Sequence, residues 1–375
     1  MSLTWIFALV SGVFLTLFVY PYAIYPFLLR TLKRKPVAAA PADFLVSLLF
    51  CAYNEVEALP EKIENLRRLK ERKPGLEILV YDDNSSDGSS ELLANAADIV
   101  TVIRGEGRTG KAAGMKRLAA LAGGEILVFT DANVILAPDA IESLLPYYAD
   151  TGVGGVCGTL RYSSDPSSTT AEIGSLYWRL DEHLRSHESA TGDVMGADGS
   201  IFSVRKSLYP SFPDTVLDDF TVSMSVIFAG KRLIKAPDVV AYEKSVAHRD
   251  EEVRRKVRIG ARAFHTHLHL RGQLKRMSAL NRFKYMSRKL LRWFGGLFLA
   301  VGAVFAMAAI AMASPAVAAG LVATGCLLLA ISLRVRKGIL AKLSEILIST
   351  FATLIGVLQG MRGRTVTTWS PAKSR

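Results

Sequence analysis

Two oxygen-bearing side chains, Asp131 and Asn133, stand two residues apart directly after the apolar run 126–130. At the end of a strand, side chains with this spacing can meet a hard divalent cation, such as Mg²⁺ or Mn²⁺, together with the oxygens of a diphosphate. Asn133 carries no charge, so Asp131 is the stronger predicted ligand.

Two pairs of adjacent acids stand elsewhere, Asp82 with Asp83 and Asp218 with Asp219. Like charges repel at this distance, so we expect a cation or hydrogen-bond donors beside Asp82 and Asp83, at the end of the run 77–81. The second pair precedes the amphipathic segment 221–229. One acid would be enough to cap a helix there, and capping leaves the other acid unexplained.

The loop Gly105–Lys111 matches the spacing Gly-x4-Gly-Lys, which is typical of a P-loop that binds nucleotide phosphates. Position 112 is Ala, so the hydroxyl that would bind Mg²⁺ in a P-loop is missing. The alternative is a loop in which Arg108 and Lys111 meet phosphate at a helix N-terminus. A membrane-bound, P-loop-like nucleotide-binding protein with a transport or regulatory role therefore remains an alternative function.

Apolar runs alternate with helical segments between residues 44 and 130, which predicts an α/β domain with a parallel sheet and helices on both faces. Ligands of such sheets bind beyond the carboxyl ends of the strands. Asn54, the acids at 82–83, Arg104 and Asp131 all fall at or near such ends, so we expect them to share one edge.

Long apolar segments flank this domain, at Trp5–Leu29, Trp293–Ala313 and Ala316–Leu333, and the first carries predicted kinks at Pro21 and Pro26. Whether the segment 339–361 crosses the membrane stays open. Basic clusters next to the spans predict a cell-membrane, multi-pass protein with a cytoplasmic catalytic domain. The predicted units are a transmembrane helix at 1–30, a basic linker at 31–43, the α/β domain at 44–270, an amphipathic interfacial helix at 271–292, a transmembrane hairpin plus a further apolar segment at 293–361 and a cytoplasmic tail at 362–375.

The net charge of +12 is compatible with nucleic acid, a polyanionic substrate or membrane lipid as a partner. The basic residues crowd the apolar segments and no nucleic-acid-binding motif is present, which favours lipid and argues against nucleic acid. Cys51, Cys157 and Cys326 have no metal-binding spacing, as is typical of buried, reduced thiols.

Several motifs together resemble glycosyltransferase family 2 and its membrane-anchored, polysaccharide-synthase-like members. They are Tyr-Asp-Asp-Asn-Ser-Ser-Asp-Gly-Ser at 81–89, Gly-Lys-Ala-Ala-Gly-Met at 110–115, Asp-Ala-Asn at 131–133, Gly-Ala-Asp-Gly-Ser at 196–200 and Leu-Asp-Asp at 217–219. The resemblance implies a GT-A-type, Rossmann-like nucleotide-sugar-binding domain with flanking transmembrane helices. It departs from the family at Asn133, where the second Asp of the Asp-x-Asp motif is expected.

The resemblance also implies a role for each matching residue. Asp219 would be the general base of an inverting transfer, and Asp131 and Asn133 would hold the divalent cation. The donor-binding residues would be Asn54, Glu55, Asp82, Asp83, Arg108, Lys111, Asp131 and Arg258. The acceptor-side residues would be Gly196, Asp198, Gly199 and Asp218. Asp198 has an alternative, purely structural role, because an Asp in a Gly-rich turn often stabilises that turn.

Processive relatives carry Gln-x-x-Arg-Trp where this chain has Arg255-x-x-Arg258-Ile259. The missing Trp favours a single transfer from a nucleotide sugar, UDP-linked in most relatives, to a lipid-linked or saccharide acceptor in polysaccharide or glycolipid synthesis. A processive polysaccharide synthase remains the alternative. The sequence identifies neither the donor sugar nor the acceptor.

Overall fold

The computed structural model describes residues 2–162, 169–244, 248–334, 338–365 and 368. Residues 369–375 of the predicted cytoplasmic tail and residues 335–337 of a predicted basic cluster lie outside this part of the chain.

The α/β part of the chain is built on one eight-stranded sheet in the order β3-β2-β1-β4-β7-β6-β8-β5. Strands β1 to β4 are parallel to one another, as predicted. The strands are β1 (Val46–Ala52), β2 (Glu77–Asp82), β3 (Thr101–Arg104), β4 (Ile126–Thr130), β5 (Ile135–Leu136), β6 (Val153–Tyr162), β7 (Ile201–Arg205) and β8 (Arg232–Glu243).

The parallel sheet predicted for residues 44–130 is confirmed, but beyond β4 the sheet continues with strands of both directions. Strand β7 runs antiparallel to both of its neighbours, β4 and β6, so the sheet is mixed. The physical reason lies in the connection, because β7 enters the sheet at the carboxyl end of β4, with Ile201 paired to Thr130. This reversal brings the Gly-rich turn before β7 to the edge where β4 ends.

Fourteen α-helices surround and follow the sheet in the described part of the chain. They are α1 (Leu3–Val19), α2 (Ile24–Thr31), α3 (Leu59–Arg72), α4 (Ser89–Ala94), α5 (Lys111–Leu121), α6 (Ala140–Leu144), α7 (Thr169–Ala190), α8 (Asp218–Phe228), α9 (Arg249–Arg276), α10 (Ala279–Tyr285), α11 (Leu291–Trp293), α12 (Gly295–Ala313), α13 (Pro315–Arg334) and α14 (Ile339–Met361). Short 3₁₀ segments lie at Leu145–Ala149 and Lys206–Leu208, and a π-helical turn lies at Met286–Leu290.

The sheet is covered on both faces, which explains why its central strands read as unbroken apolar runs. Every residue of β1 is buried. Leu48 and Phe50 point into one apolar cluster, whereas the alternate residues Leu49 and Cys51 point into the other. Side-chain oxygen and nitrogen groups are therefore displaced to the strand ends, where the candidate site lies.

Helices α12 and α14 are each long and apolar enough to cross a membrane, and α1 with α2 would form a third span if the bent pair is one segment. That pair is bent by 63°. The break at residues 20–23 contains Pro21, whereas Pro26 lies inside α2. Helices α12 and α13 meet at Ser314, and the described apolar part of α13 is shorter than a span, so the two-span hairpin stays a prediction. Along α1 and α12, Ser11 Oγ donates to Gly302 O at 2.9 Å.

The predicted amphipathic helix at 271–292 is not a single helix, and its basic side chains are not all on a surface. Helix α9 continues to Arg276, and α10, the π-helical turn and α11 follow. Lys284 and Arg288 are buried. Arg288 binds the carboxylates of Asp181 and Glu188 on α7, so this part of the predicted lipid-facing surface faces protein instead.

Candidate active site

Gly199 marks the point where charged side chains from three stretches of the chain meet. An atom at its Cβ position would lie 3.0 Å from Nζ of Lys111, 3.4 Å from Oδ2 of Asp131 and 3.7 Å from Oδ2 of Asp219. Lys111 Nζ donates to Oδ1 of Asp131 at 2.6 Å and lies 3.9 Å from Oδ2 of Asp218. The structure therefore gathers one cation and three carboxylates around a position without a side chain.

The ends of four elements hold this cluster together. Asp131 follows β4, Lys111 begins α5 and Asp218 begins α8. The turn before β7 is held against β4 by the Thr130 hydroxyl, which donates to Ser200 O at 2.8 Å. Because rigid elements meet here, the charged groups are positioned by the packing of the domain.

Asp83 directly follows β2, which is separated from β4 by β1, and the loop 105–110 surrounds its carboxylate with hydrogen-bond donors. Its fully buried carboxylate accepts hydrogen bonds from Arg108 Nη1 at 2.7 Å, Thr109 N at 2.7 Å and Gly110 N at 3.0 and 3.1 Å. The guanidinium of Arg108 also lies 3.0 Å from the ring centroid of Tyr53. The expected donors beside the acid pair are thus supplied by the protein.

This use of the loop argues against the P-loop alternative. A P-loop binds phosphate through its own backbone N–H groups. Here the N–H groups of Thr109 and Gly110 already donate to a carboxylate. The loop also follows β3, an edge strand of the sheet.

Asp82 and Asn54 shape the turn after β2. Asp82 Oδ1 accepts from Ser85 N at 3.0 Å, and Asn54 Oδ1 accepts from Ser86 N at 2.9 Å. Asn54 has a φ of 52°, a left-handed conformation that Asn tolerates better than most residues. Glu55 is buried beside this turn. These contacts give the three residues a structural role, and their contact with a donor stays a prediction.

The cation-binding prediction can be tested against the oxygen atoms near Asp131 that could act as metal ligands. Asn133 donates through Nδ2 to Glu243 Oε1 at 2.8 Å, so its amide oxygen is the atom suited to a cation. Among the described residues, no three His, Cys, Asp or Glu side chains form a ready metal cluster. A carboxylate and an amide oxygen fit Mg²⁺ or Mn²⁺ when diphosphate oxygens and water complete the shell.

Asp219 has the electrostatic surroundings of a base near neutrality. Burial and the adjacent carboxylate of Asp218 raise the pKa of Asp219 to about 6, against the lowering effect of Lys111. Burial alone would lower the pKa of Lys111, but the three carboxylates around it raise that pKa above its usual value. Lys111 therefore stays protonated while Asp219 titrates.

The segment before Asp218 is fixed from α9. Arg262 Nη2 donates to Val216 O at 2.9 Å, and Leu217 N donates to Thr266 Oγ1 at 2.9 Å. Both α9 side chains are buried. The first turn of α8, and with it the acid pair, is thus attached to a long helix that contacts the apolar part of the chain.

On the predicted acceptor side, Gly196 adopts a φ of 90°, and a Cβ there would lie 2.9 Å from the ring of Phe220. Asp198 forms an ion pair with Arg185 and accepts from Ser200 N at 3.1 Å. Asp198 therefore stabilises its own turn, which was the structural alternative to an acceptor-side role. Its direct contact with an acceptor stays a prediction.

Arg258 lies on α9, four residues before Arg262. It lines a cavity between α9 and α14 together with Arg254, Gln359 and Arg364. One turn earlier, Arg255 binds Glu252. Donor binding by Arg258 stays a prediction.

Sequence reasoning missed two sets of functional neighbours. Glu243, at the end of β8, binds Asn133 across 110 residues of sequence. Arg185 links Asp198 to Asp181 and so to the basic residues before α12. The position of Glu243 at a strand end could have indicated that it lies near the site. In the sequence, Arg185 cannot be distinguished from an ordinary charged residue on a helix surface.

Three comparisons with known proteins agree with this geometry. Residues 47–211 match the family model described as glycosyl transferase family 2. A mannosyltransferase from Pyrobaculum calidifontis, solved in complex with GDP-Man and Mn²⁺, aligns with a TM-score of 0.75 over 96% of this chain and 99% of that chain, at 21% identity. At that identity the likeness shows the fold alone.

Two curated relatives are synthases. A beta-monoglucosyldiacylglycerol synthase from Nostoc sp. is 30% identical over 187 residues, which cover 48% of this chain and 40% of that protein. A poly-beta-1,6-N-acetyl-D-glucosamine synthase from Staphylococcus aureus is 26% identical over 249 residues, which cover 62% of this chain and 58% of that protein. The chain thus aligns with about half the length of these relatives.

The mixed sheet, with charged side chains beyond the ends of β2 and β4, has the GT-A fold. Residues 47–211 thus carry the similarity to glycosyl transferase family 2, and the curated relatives that align with the chain are a glycolipid synthase and a polysaccharide synthase.

Proposed function

We propose that this chain is an inverting glycosyltransferase that moves a sugar from a nucleotide-sugar donor to a lipid-linked or saccharide acceptor at the cytoplasmic face of the membrane. The convergence of Lys111, Asp131 and Asp219 around Gly199 is the observation that carries the proposal. It places groups suited to a diphosphate beside a carboxylate suited to a hydroxyl proton.

In the proposed reaction, Asp219 takes the proton of the acceptor hydroxyl as the oxygen attacks the anomeric carbon. The bond from that carbon to the diphosphate breaks on the opposite side, which inverts the configuration. The nucleoside diphosphate leaves with the bonding electron pair. Lys111 would bind its oxygens, exchanging part of its ion pair with Asp131 for the developing charge.

Asp131 and the amide oxygen of Asn133 would hold Mg²⁺ or Mn²⁺ when donor is bound. The cation would supply further charge neutralisation for the leaving group. Glu243, which accepts from the Asn133 amide, would orient that oxygen and add negative charge that Asn133 lacks. The Mn²⁺ of the structurally similar mannosyltransferase supports a divalent cation in general.

A single transfer is preferred to processive synthesis because Ile259 stands where processive relatives carry Trp. The related synthases include one glycolipid and one polysaccharide enzyme, so relatives alone do not choose between the two. Product sizing after incubation with labelled donor separates them. One addition per acceptor supports the single transfer, and a ladder of sizes supports the processive alternative.

The proposal is tested by a donor panel of UDP-glucose, UDP-N-acetylglucosamine and GDP-mannose, each with Mn²⁺, in a thermal-shift assay on the full chain. We expect a UDP-sugar to stabilise the protein only with the cation present. Asp131→Asn should lose most of the cation-dependent shift and lower transfer about 100-fold, because it removes the one anionic cation ligand. ATP is added to the same assay as a comparison, and stabilisation by ATP that needs Lys111 but not Asp131 would favour the nucleotide-binding alternative.

Gly199→Ala should lower kcat/KM by about 10- to 100-fold while the protein stays folded. The new methyl group would meet the mobile end of Lys111 at 3.0 Å and displace it from Asp131, and small displacements in active sites have effects of this size. Steady-state kinetics with a thermal melt measures both quantities. Gly174→Ala on α7 is the control, because nothing lies within 4 Å of its Cβ position. Unchanged kinetics in Gly199→Ala would contradict the assigned cleft.

The raised pKa of Asp219 predicts the pH dependence of transfer. The base is active when deprotonated, so kcat/KM should fall about tenfold per pH unit below its pKa of about 6 and level off above pH 7. Asp218→Asn removes the neighbouring charge and should move this limb to lower pH. A limb that stays in place in Asp218→Asn would show that another group controls it.

A further inference from the structure

Helix α14 is long and apolar enough to cross a membrane, but both of its ends contact helices of the α/β part of the chain. Near its start, Lys342 pairs with Glu172 of α7 and Glu345 pairs with Arg249 of α9. Glu345 is buried in this contact. The first two turns of α14 are therefore fixed to helices of the α/β part.

The far end of α14 is fixed to the same part. Gly356 and Gly360 lie directly against the backbone of Val257 and Ala261 on α9, and Gly260 lies against Thr353 O. From Arg249 to Ala261, α9 therefore runs alongside α14 in the same direction. Within a few residues of this contact, α9 holds the segment before Asp218 through Arg262 and Thr266.

The middle of α14 passes the base of the apolar helices. Gly296, the second residue of α12, lies against Thr350 and Leu354. Deeper in the apolar bundle, Phe305 of α12 packs against Phe7 of α1. The middle of α14 thus contacts the start of α12, while its two ends contact α7 and α9.

The composition of α9 excludes a crossing by this pair of helices. Eight of the thirteen residues at 249–261 are charged, and they run beside α14 for most of its length. If α14 crossed the bilayer, these charges would enter the hydrocarbon core, where charged side chains are strongly disfavoured.

The opposite face of α14 is apolar and exposed. Its members recur every three or four residues and so form one stripe on the helix. They are Leu343, Ile346, Leu347, Phe351, Ile355 and Leu358. Arg362 and Arg364 follow the helix and are exposed, which suits the anionic headgroups of a cytoplasmic leaflet.

We infer that α14 lies in the plane of the membrane, with this apolar stripe in the acyl region of the leaflet that faces the catalytic domain. The inference rests on the membrane placement proposed above. It accounts for the high hydropathy of α14 by one-sided contact with lipid, and it keeps Arg362 and Arg364 on the side of the catalytic domain.

Depth measurement tests the inference directly. In a Cys326→Ala background, with buried Cys51 and Cys157 retained, single cysteines at Leu343, Phe351 and Leu358 are labelled with NBD. The full chain is reconstituted in phosphatidylcholine–phosphatidylglycerol vesicles that contain shallow or deep spin-labelled lipid. We expect all three positions to be quenched at one shallow depth.

Two results would overturn the inference. In a spanning helix, Leu343 and Leu358 would differ in depth by about 22 Å, with Phe351 near the centre. In a face covered by a second copy or another protein, lipid would quench none of the three. Either pattern contradicts an in-plane helix.

Labels at Leu297 and Val304, exposed on α12, are the control for membrane placement. Their depths should differ by about 10 Å if α12 crosses the bilayer. If deep lipid quenches neither, the membrane placement itself is wrong, and the inference fails with it. If the α12 labels differ in depth but the α14 labels do not share one shallow depth, the membrane placement stands and only the in-plane position of α14 is contradicted.

Discussion

Asp219→Asn is expected to lower the turnover number of sugar transfer by about 10²- to 10⁴-fold, the usual contribution of a general base. The amide has nearly the same shape, and its oxygen can still accept the hydrogen bond from Phe220 N that the carboxylate accepts at 2.6 Å. The first turn of α8 should therefore keep its conformation. What is lost is the only group in the proposal that removes the acceptor proton.

The measurement pairs single-turnover kinetics with donor binding followed by thermal shift. Donor affinity should change by less than about threefold, because Asp219 acts on the acceptor in the proposed mechanism. Asp214→Asn is the matched control, since Asp214 is a half-exposed acid five residues away that pairs with Lys116. Full turnover in Asp219→Asn would remove Asp219 from the role of base.

Asp181→Asn is expected to destabilise the folded protein by about 3–5 kcal/mol, the usual cost of leaving buried charges without a partner. The carboxylate of Asp181 lies 2.9 Å from Arg185 Nε, 3.0 Å from Arg288 Nη2 and 2.7 Å from Arg292 Nη1. Although burial would raise it, the three guanidinium groups hold the pKa of Asp181 well below its usual range. Removing its charge takes the carboxylate partner from Arg292 and lets the three neighbouring cations repel one another, although Arg185 keeps Asp198 and Arg288 keeps Glu188.

The effect should appear as a fall of about 4–6 °C in the melting temperature of the full chain in detergent. Asp98→Asn serves as the control, because Asp98 forms an exposed pair with Arg67 and such pairs contribute at most about 1 kcal/mol. Equal melting temperatures for the two variants would mean that the buried cluster has no special share in stability.

The part of the fold that the sequence predicted depends on local pattern. Unbroken apolar runs identified β1, β2 and β4, and the rule that parallel strands end at one edge brought Asp83 and Asp131 to the same side. The reversed direction of β7 was not predicted, because the periodicity of a strand does not encode whether it runs parallel or antiparallel. Because β7 is antiparallel to β4, the turn that contains Gly199 lies at the end of β4, next to Asp131.

The missed contacts in the site join residues far apart in sequence. Donors beside Asp83 were expected from charge repulsion alone, but their identity as loop backbone N–H groups 26 and 27 residues later followed only from the fold. Likewise, the basic stretch around Arg288 predicted a lipid-facing side chain. Its acidic partners on α7 stand 100 and 107 residues earlier, so local sequence pattern could not identify them. A basic stretch looks the same in sequence whether it meets phospholipid or buried carboxylates.

The saturation of Asp83 by the loop after β3 affects how mutations there should be understood. Replacing this acid would release an arginine and two amide groups at once, so the loop would become mobile before any nucleotide arrived. Loss of activity in such a variant would reflect a collapsed wall of the binding cleft. Faster proteolytic cleavage within residues 105–110 would accompany that loss and distinguish it from the removal of a direct contact with the donor.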